Sequence, residues 1–161
     1  MSPSAALRAR LLAEIATPRR RFEPLFGALR ALFDLDDTAL ATLFERAELA
    51  TEWSDSPVAG VQLLHLAGGP GARDADSGLL RIAAGTHFPM HRHLGAERVL
   101  VLQGGYRDEP SGQRFLPGDL QEMAAGTSHS YVVLPERPLL AAVSLEGGVE
   151  VAGIGSLTTS G

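Results

Sequence analysis

The spacing of hydrophobic residues along this chain changes near residue 60, and that change divides it in two. Before residue 50 the spacing is helical. Leu7, Leu11 and Ile15 recur at four-residue intervals, while Phe22, Leu25, Phe26, Leu29 and Phe33 follow a 3.6-residue period, as do Leu40, Leu43, Phe44 and Ala47. Pro18 separates the first two stretches, and Asp36 or Asp37 supplies an N-cap for the third. About three short amphipathic helices are therefore expected over residues 1–50, each with an apolar face that something must cover. The cover is the rest of the chain, a second copy or a different protein, so the segment reads as a docking, capping or dimerisation element.

From Gly60 onward the apolar runs shorten and turn residues intervene. Val61–Leu66, Gly78–Ala83, Phe88–His93, Glu97–Gln103, Tyr106–Asp108, Gln113–Phe115, Leu120–Met123, His129–Leu134, Leu139–Leu145 and Val149–Ile154 read as strands. Glu-Pro-Ser-Gly at 109–112 and Leu-Pro-Gly-Asp at 116–119 read as turns. The Gly-Gly-Pro-Gly run from Gly68 is a connection, since it lacks the spacing and Lys-Ser/Thr of a phosphate-binding loop. Trp53 reads as a core residue over the junction. The whole predicts a mainly β protein: an antiparallel barrel or jelly roll over residues 51–161, preceded by the helical segment 1–50.

Strand parity then brings in the chemistry. Residues i and i+2 of a strand share a face, so His91 and His93 point the same way. A tight turn at Leu94-Gly95-Ala96 places Glu97 at the start of a strand paired with theirs. His129, opening a later apolar run, is the candidate fourth member. Counting from Glu97 brings Val99, Val101 and Gln103 inward, and counting from His129 brings Tyr131 and Val133. Three imidazoles and one carboxylate suit a divalent borderline metal such as Zn, Fe, Mn, Ni or Cu. A tetrahedral zinc held by all four would be closed, whereas an octahedral ion would keep open positions for water, oxygen or a chelating ligand. His87 shares nominal parity with His91, but Pro89 intervenes, so it reads as a surface or barrel-mouth histidine, with ligand or proton shuttle as the alternative. His87, Gln103, Met123 and Tyr131 make up the candidate ligand pocket, against plain barrel lining for Met123 and Tyr131. His65, at the end of an apolar strand, reads as packed or solvated.

Composition narrows the function classes. The chain has no cysteine, which excludes thiol catalysis, disulfides and Cys-type zinc sites. Its net charge of -5 argues against general nucleic-acid binding. All 14 basic residues are arginine, and lysine and asparagine are absent, the composition of a GC-rich bacterial coding sequence. Residues 1–30 carry six arginines against Glu14 and Glu23, a local charge of +4 that leaves -9 for the remainder. Arg19-Arg20-Arg21 reads as a solvated turn, or as a docking surface for an acidic partner. No apolar run approaches membrane-spanning length and no secretory pattern opens the chain, so the cytoplasm is expected.

A resemblance gives these residues a context. Gly85, His91, His93, Glu97 and Gly104 reproduce G-x5-H-x-H-x3-E-x6-G, the first motif of the cupin superfamily, without a gap. Gly118, Gly126 and His129 match its second motif, G-x5-P-x-G-x2-H-x3-N, with Ala124 and Val133 in place of the usual proline and asparagine. The run from Phe88 to Asp108, continued by Pro117–Asp119 and Ala124–Ser130, resembles the C-terminal cupin domain of the ChrR anti-sigma factors; the likeness covers residues 60–145. It implies a cupin jelly-roll barrel, zinc held by His91, His93, Glu97 and His129, and a part in the response to singlet oxygen and related oxidants. In that family an N-terminal helical domain with an H-x3-C-x2-C zinc motif grips a sigma factor; this chain, without cysteine, lacks that motif.

The expected function is a metal-binding cupin acting as a sensor or regulatory domain, with one divalent ion, zinc ahead of iron, manganese or nickel. The alternatives are an iron-dependent dioxygenase using His91, His93 and His129, and a cupin whose metal only braces the barrel. The expected partners are a sigma factor or other regulatory protein on the N-terminal helices, a small-molecule ligand and a second copy of the chain, with neither nucleic acid nor membrane.

Overall fold

The computed structural model describes residues 4–157, without the side chains of residues 14–16 and 18–19. All three periodic stretches of the first fifty residues are helical: α1 (Ala5–Ala16), α2 (Pro18–Phe22), α3 (Phe26–Phe33) and α4 (Asp37–Ala47). The middle stretch is divided because Pro24, which has no N–H to donate, tightens Glu23–Leu25 into a 3-10 turn between α2 and α3. Asp36 caps α4, its carboxylate accepting the Ala39 N–H at 2.8 Å.

The barrel covers most of the helical apolar surface. Phe22, Phe26, Leu29, Phe33, Leu40 and Phe44 are buried in one cluster with Leu64, Leu79, Leu100, Leu102 and Ala142 from the strands. Phe22 stacks on Phe44 with ring centroids 4.6 Å apart. Trp53 joins this layer, donating its indole N–H to the Ala47 carbonyl at 2.9 Å beneath the Arg81 guanidinium. Only α1 stands apart: Leu7, Leu11 and Leu12 are 44%, 46% and 59% exposed, and the side chain of Ile15 lies outside the described residues.

The glycine run after Leu66 is shaped by α3. Asp34 ends that helix in the left-handed region at φ 53°, and its carboxylate accepts the Gly71 N–H at 2.7 Å. A Cβ on Gly69 would lie 1.9 Å from the Asp34 carbonyl oxygen. The connection needs glycine because it lies directly on the helix end.

The strands are β1 (Ser54–Asp55), β2 (Val61–Leu66), β3 (Asp76–Ile82), β4 (His87–His93), β5 (Glu97–Gln103), β6 (Tyr106–Asp108), β7 (Arg114–Phe115), β8 (Leu120–Met123), β9 (Ser128–Val133), β10 (Leu139–Leu145), β11 (Val149–Val151) and β12 (Gly155–Leu157). They form two six-stranded sheets, ordered β1-β2-β3-β10-β5-β8 and β12-β11-β4-β9-β6-β7, antiparallel throughout. This is the expected jelly roll. Val61, Ile82, Val101, Tyr106, Val133 and Leu139 fill the space between the sheets, and the helices lie on the outer face of the first.

One expectation is corrected. β4 and β5 are consecutive but unpaired: β4 lies between β11 and β9, and β5 between β10 and β8. The turn from His93 to Glu97 crosses from one sheet to the other. β1 and β12 were not expected, because runs of two and three residues carry too little alternation to be read.

Candidate metal centre

The crossing turn sets up the site. At Gly95 a Cβ would lie 2.2 Å from the Glu146 carbonyl oxygen, so the chain passes that strand end without a side chain. Leu94 N–H donates to the Gly148 carbonyl and Glu146 N–H to the Ala96 carbonyl, pinning both sides. His91 on β4 faces His129 on β9 in direct register, His93 lies two residues on, and Glu97 faces them from the other sheet.

Each imidazole is oriented through Nδ1. His91 Nδ1 lies 3.0 Å from the Pro89 carbonyl oxygen. His93 Nδ1 lies 3.1 Å from the Thr127 carbonyl oxygen and 3.0 Å from its Oγ1. His129 Nδ1 lies 2.7 Å from Asp108 Oδ1. With Nδ1 occupied, Nε2 is left to face the interior. One ligand atom from each of His91, His93, Glu97 and His129 falls within 4.8 Å of the others. Nitrogen ligands about 2.1 Å from a shared ion lie at most about 4.2 Å apart, so small side-chain movements would close the set.

The chemistry of the donors fits a divalent cation. His93 is fully buried, and its Nε2 lies 2.7 Å from Glu97 Oε2 without forming a hydrogen bond of acceptable geometry. An unpartnered buried nitrogen beside a carboxylate oxygen is a costly arrangement that a shared cation relieves. Burial pushes the His91 imidazole down to about 4, with the neighbouring His129 and His93 adding to the effect and the Pro89 carbonyl opposing it. It is neutral at pH 7, with a free lone pair.

Asp108 is the residue that sequence reading missed. It is 5% exposed and receives the Ser111 N–H at 3.0 Å as well as the His129 contact. Burial raises its pKa, but hydrogen bonds from Ser111 and His129 outweigh that and hold it below the usual carboxylate range. A signal was available: Tyr106 and Asp108 share inward parity on β6, and an acid on an inward face needs a partner.

The remaining candidates are spread around the barrel. Tyr131 is buried against Phe88, rings stacked at 4.9 Å, and lines a cavity of about 90 Å³ that His91, Glu97 and His129 also border. Met123 is the register partner of Glu97 and packs against the barrel core, apart from the cavity lining. Gln103 donates its amide to the Pro138 carbonyl at 3.2 Å, outside the cavity. On β5, Val101 pairs with Ala141 and Gln103 with Leu140, so Leu102 is an extra residue that interrupts the alternation. A second extra residue falls between Phe88 and His91, where Pro89 sits. It reverses parity, so His87 points outward, half-exposed and 2.8 Å from Glu109 Oε1. The corner where proline was expected is closed at Ala124, whose carbonyl accepts both N–H and hydroxyl of Thr127, while Gly126 N–H donates to His93.

Known proteins place this geometry. The profile of the ChrR Cupin-like domain matches residues 46–147. A chain in the crystal structure of Rhodobacter sphaeroides SigE in complex with the anti-sigma ChrR superposes with a TM-score of 0.51 and 31% identity, covering 58% of this chain and 48% of that one. An acetylacetone dioxygenase from Acinetobacter johnsonii shares the fold at TM-score 0.56 and 16% identity, covering 68% of this chain and 80% of that one. Quercetin 2,3-dioxygenase of Bacillus subtilis (strain 168) is 36% identical over 74 residues, which are 44% of this chain and 22% of the dioxygenase. The chain thus spans about a fifth of that curated relative and about half of the SigE–ChrR chain. Matched over more than half its length, this chain belongs to the ChrR cupin-like domain family.

Proposed function

We propose that His91, His93, Glu97 and His129 hold one divalent ion, zinc ahead of iron, manganese or nickel, and that the chain acts as a sensor or regulatory cupin. The observation that carries the reading is the convergence of four donors whose imidazoles are already oriented through Nδ1. Bound there, the ion supplies Lewis acidity, or one-electron chemistry if it is iron. The protein's own residues hold the imidazoles aimed, and the apolar barrel lining keeps bulk water away from the site. Membership of a family named for ChrR, with the 31% identity to a chain of the SigE–ChrR complex, supports the regulatory role.

In this reading a sigma factor or other regulatory protein docks on α1, because the apolar faces of α2 to α4 already lie against the barrel. A second copy on the same face is the competing occupant. The cytoplasm is the proposed location; among the described residues no helix is long and apolar enough to cross a membrane. Elemental analysis of the purified protein tests the centre: near-stoichiometric zinc, lost in His91→Ala and His129→Ala, supports it, and a wild type that stays metal-free after reconstitution refutes it. Co-purification of a transcription protein that is lost on deleting residues 1–16 tests the partner.

The second reading, an iron dioxygenase, is favoured by the apolar cavity against the donors and the 36% identity with a quercetin dioxygenase over 74 residues. It requires oxygen uptake by the Fe(II)-loaded protein with an added substrate, abolished by His129→Ala.

A further inference from the structure

The four metal-centre residues leave a space unexplained. The cavity of about 90 Å³ is walled largely by Val61, Leu63, Val99, Val143, Leu145 and Val149. One water needs about 10–15 Å³ of such space, so about six to nine atoms of that size fit.

Its polar groups are few, and all but one are committed. The Tyr106 hydroxyl donates to Gln121 Oε1 at 2.6 Å. The Ser56 hydroxyl donates to the Val58 carbonyl at 3.2 Å, and His65 is turned to solvent. Tyr131 is different. It is 7% exposed, clamped between Phe88 at 4.9 Å and Tyr106 at 4.8 Å, and its hydroxyl has no hydrogen-bond partner among the described residues. Tyr131 lines the cavity and its hydroxyl is not one of the sealed, unpaired atoms of the interior, so an acceptor inside the cavity can take its hydrogen bond.

One free donor amid hydrocarbon walls defines a ligand class. A sugar or an amino acid would bring several polar groups and leave most unpaired. A carboxylate would have to leave water for a space walled by hydrocarbon in which one hydroxyl is left to pair it, a costly transfer. We propose that the cavity binds a small uncharged molecule, mostly hydrocarbon, with a carbonyl or ether oxygen that accepts a hydrogen bond from the Tyr131 hydroxyl. This rests on the reading of the barrel interior as a ligand-accessible metal site and names the ligand class of that site.

The test is an NMR titration of the full-length, zinc-reconstituted chain with acetophenone, with cumene as a shape match lacking the oxygen, and with benzoate. Acetophenone binds saturably and benzoate does not. Tyr131→Phe weakens acetophenone about tenfold and leaves cumene within about twofold, as expected for the loss of one buried hydrogen bond. Val143→Leu, which adds bulk to the cavity wall at a residue outside the four donors, weakens both probes and so reports on the cavity even if Tyr131→Phe fails to fold. No saturable binding of acetophenone, or an equal loss of both probes in a folded Tyr131→Phe variant, overturns the proposal. Zinc content of the same samples separates the two readings: full zinc without acetophenone binding refutes the ligand class alone, and acetophenone binding without zinc refutes the metal centre alone.

Discussion

At the scale of single residues, Asp108 carries the most consequence for the least sequence signal. A buried carboxylate on His129 Nδ1 fixes the tautomer that turns Nε2 to the interior and makes that nitrogen a better donor. Asp108→Asn is expected to weaken zinc about 10–100-fold in a competition titration while leaving the fold intact. Asp108→Glu should recover part of the loss if charge, rather than shape, is what matters. His91 gives a pH dependence. Its folded pKa of about 4 lies below the unfolded value near 6.5, so the unfolded chain binds the proton more readily. Its contribution to the metal-free protein is complete above about pH 6.5 and is lost as pH falls towards 4, by at most about 3 kcal/mol. Urea denaturation of the metal-free protein across that window checks it, and His91→Asn should flatten the profile.

Elements show where sequence reasoning holds and where it stops. β2, β5, β6, β8 and β10 end where alternation and turn residues placed them, because a half-buried strand writes its period into the chain. Which strands would pair was not written there. Two imidazoles and a carboxylate within seven residues looked like a paired unit, yet the turn between them changes sheets, a choice made by distant strands. The single extra residues at Pro89 and Leu102 reversed the local alternation, and with it the placing of His87 and Gln103. The cluster was legible because His91, His93 and Glu97 lie within seven residues and His129 opens a later apolar run; the Asp108 contact spans 21 residues and has no local signature. Gly95 tests the sheet-crossing turn. In Gly95→Ala the new methyl meets the Glu146 carbonyl, so stability should fall by about 2–4 kcal/mol, with zinc affinity falling alongside because His93 and Glu97 flank the turn.

For the whole molecule, the helices and the barrel share a layer of packing, so they should unfold together. Trp53, the single tryptophan, sits in that layer and reports on it by fluorescence. Its melting curve should coincide with the far-ultraviolet signal of the full chain. Phe44→Ala, at a fully buried position between helices and sheet, should cost about 3–5 kcal/mol and shift both curves equally. Removing residues 1–16 should leave them nearly unchanged, since the described leucines of α1 are exposed.

Glu97 reaches the three histidines across the gap between the sheets, so a bound cation would act as a clasp closing one end of a two-leaved structure. Occupancy then becomes a mechanical quantity: clasped, the leaves are held at a set separation; unclasped, that end is free to breathe while the helix-backed layer stays stiff. Hydrogen exchange with and without zinc should show the difference in β4, β9 and the first residues of β5, and little in α3 or α4. A regulator built this way would announce the loss of its ion through the looseness of one edge, with no large rearrangement anywhere else.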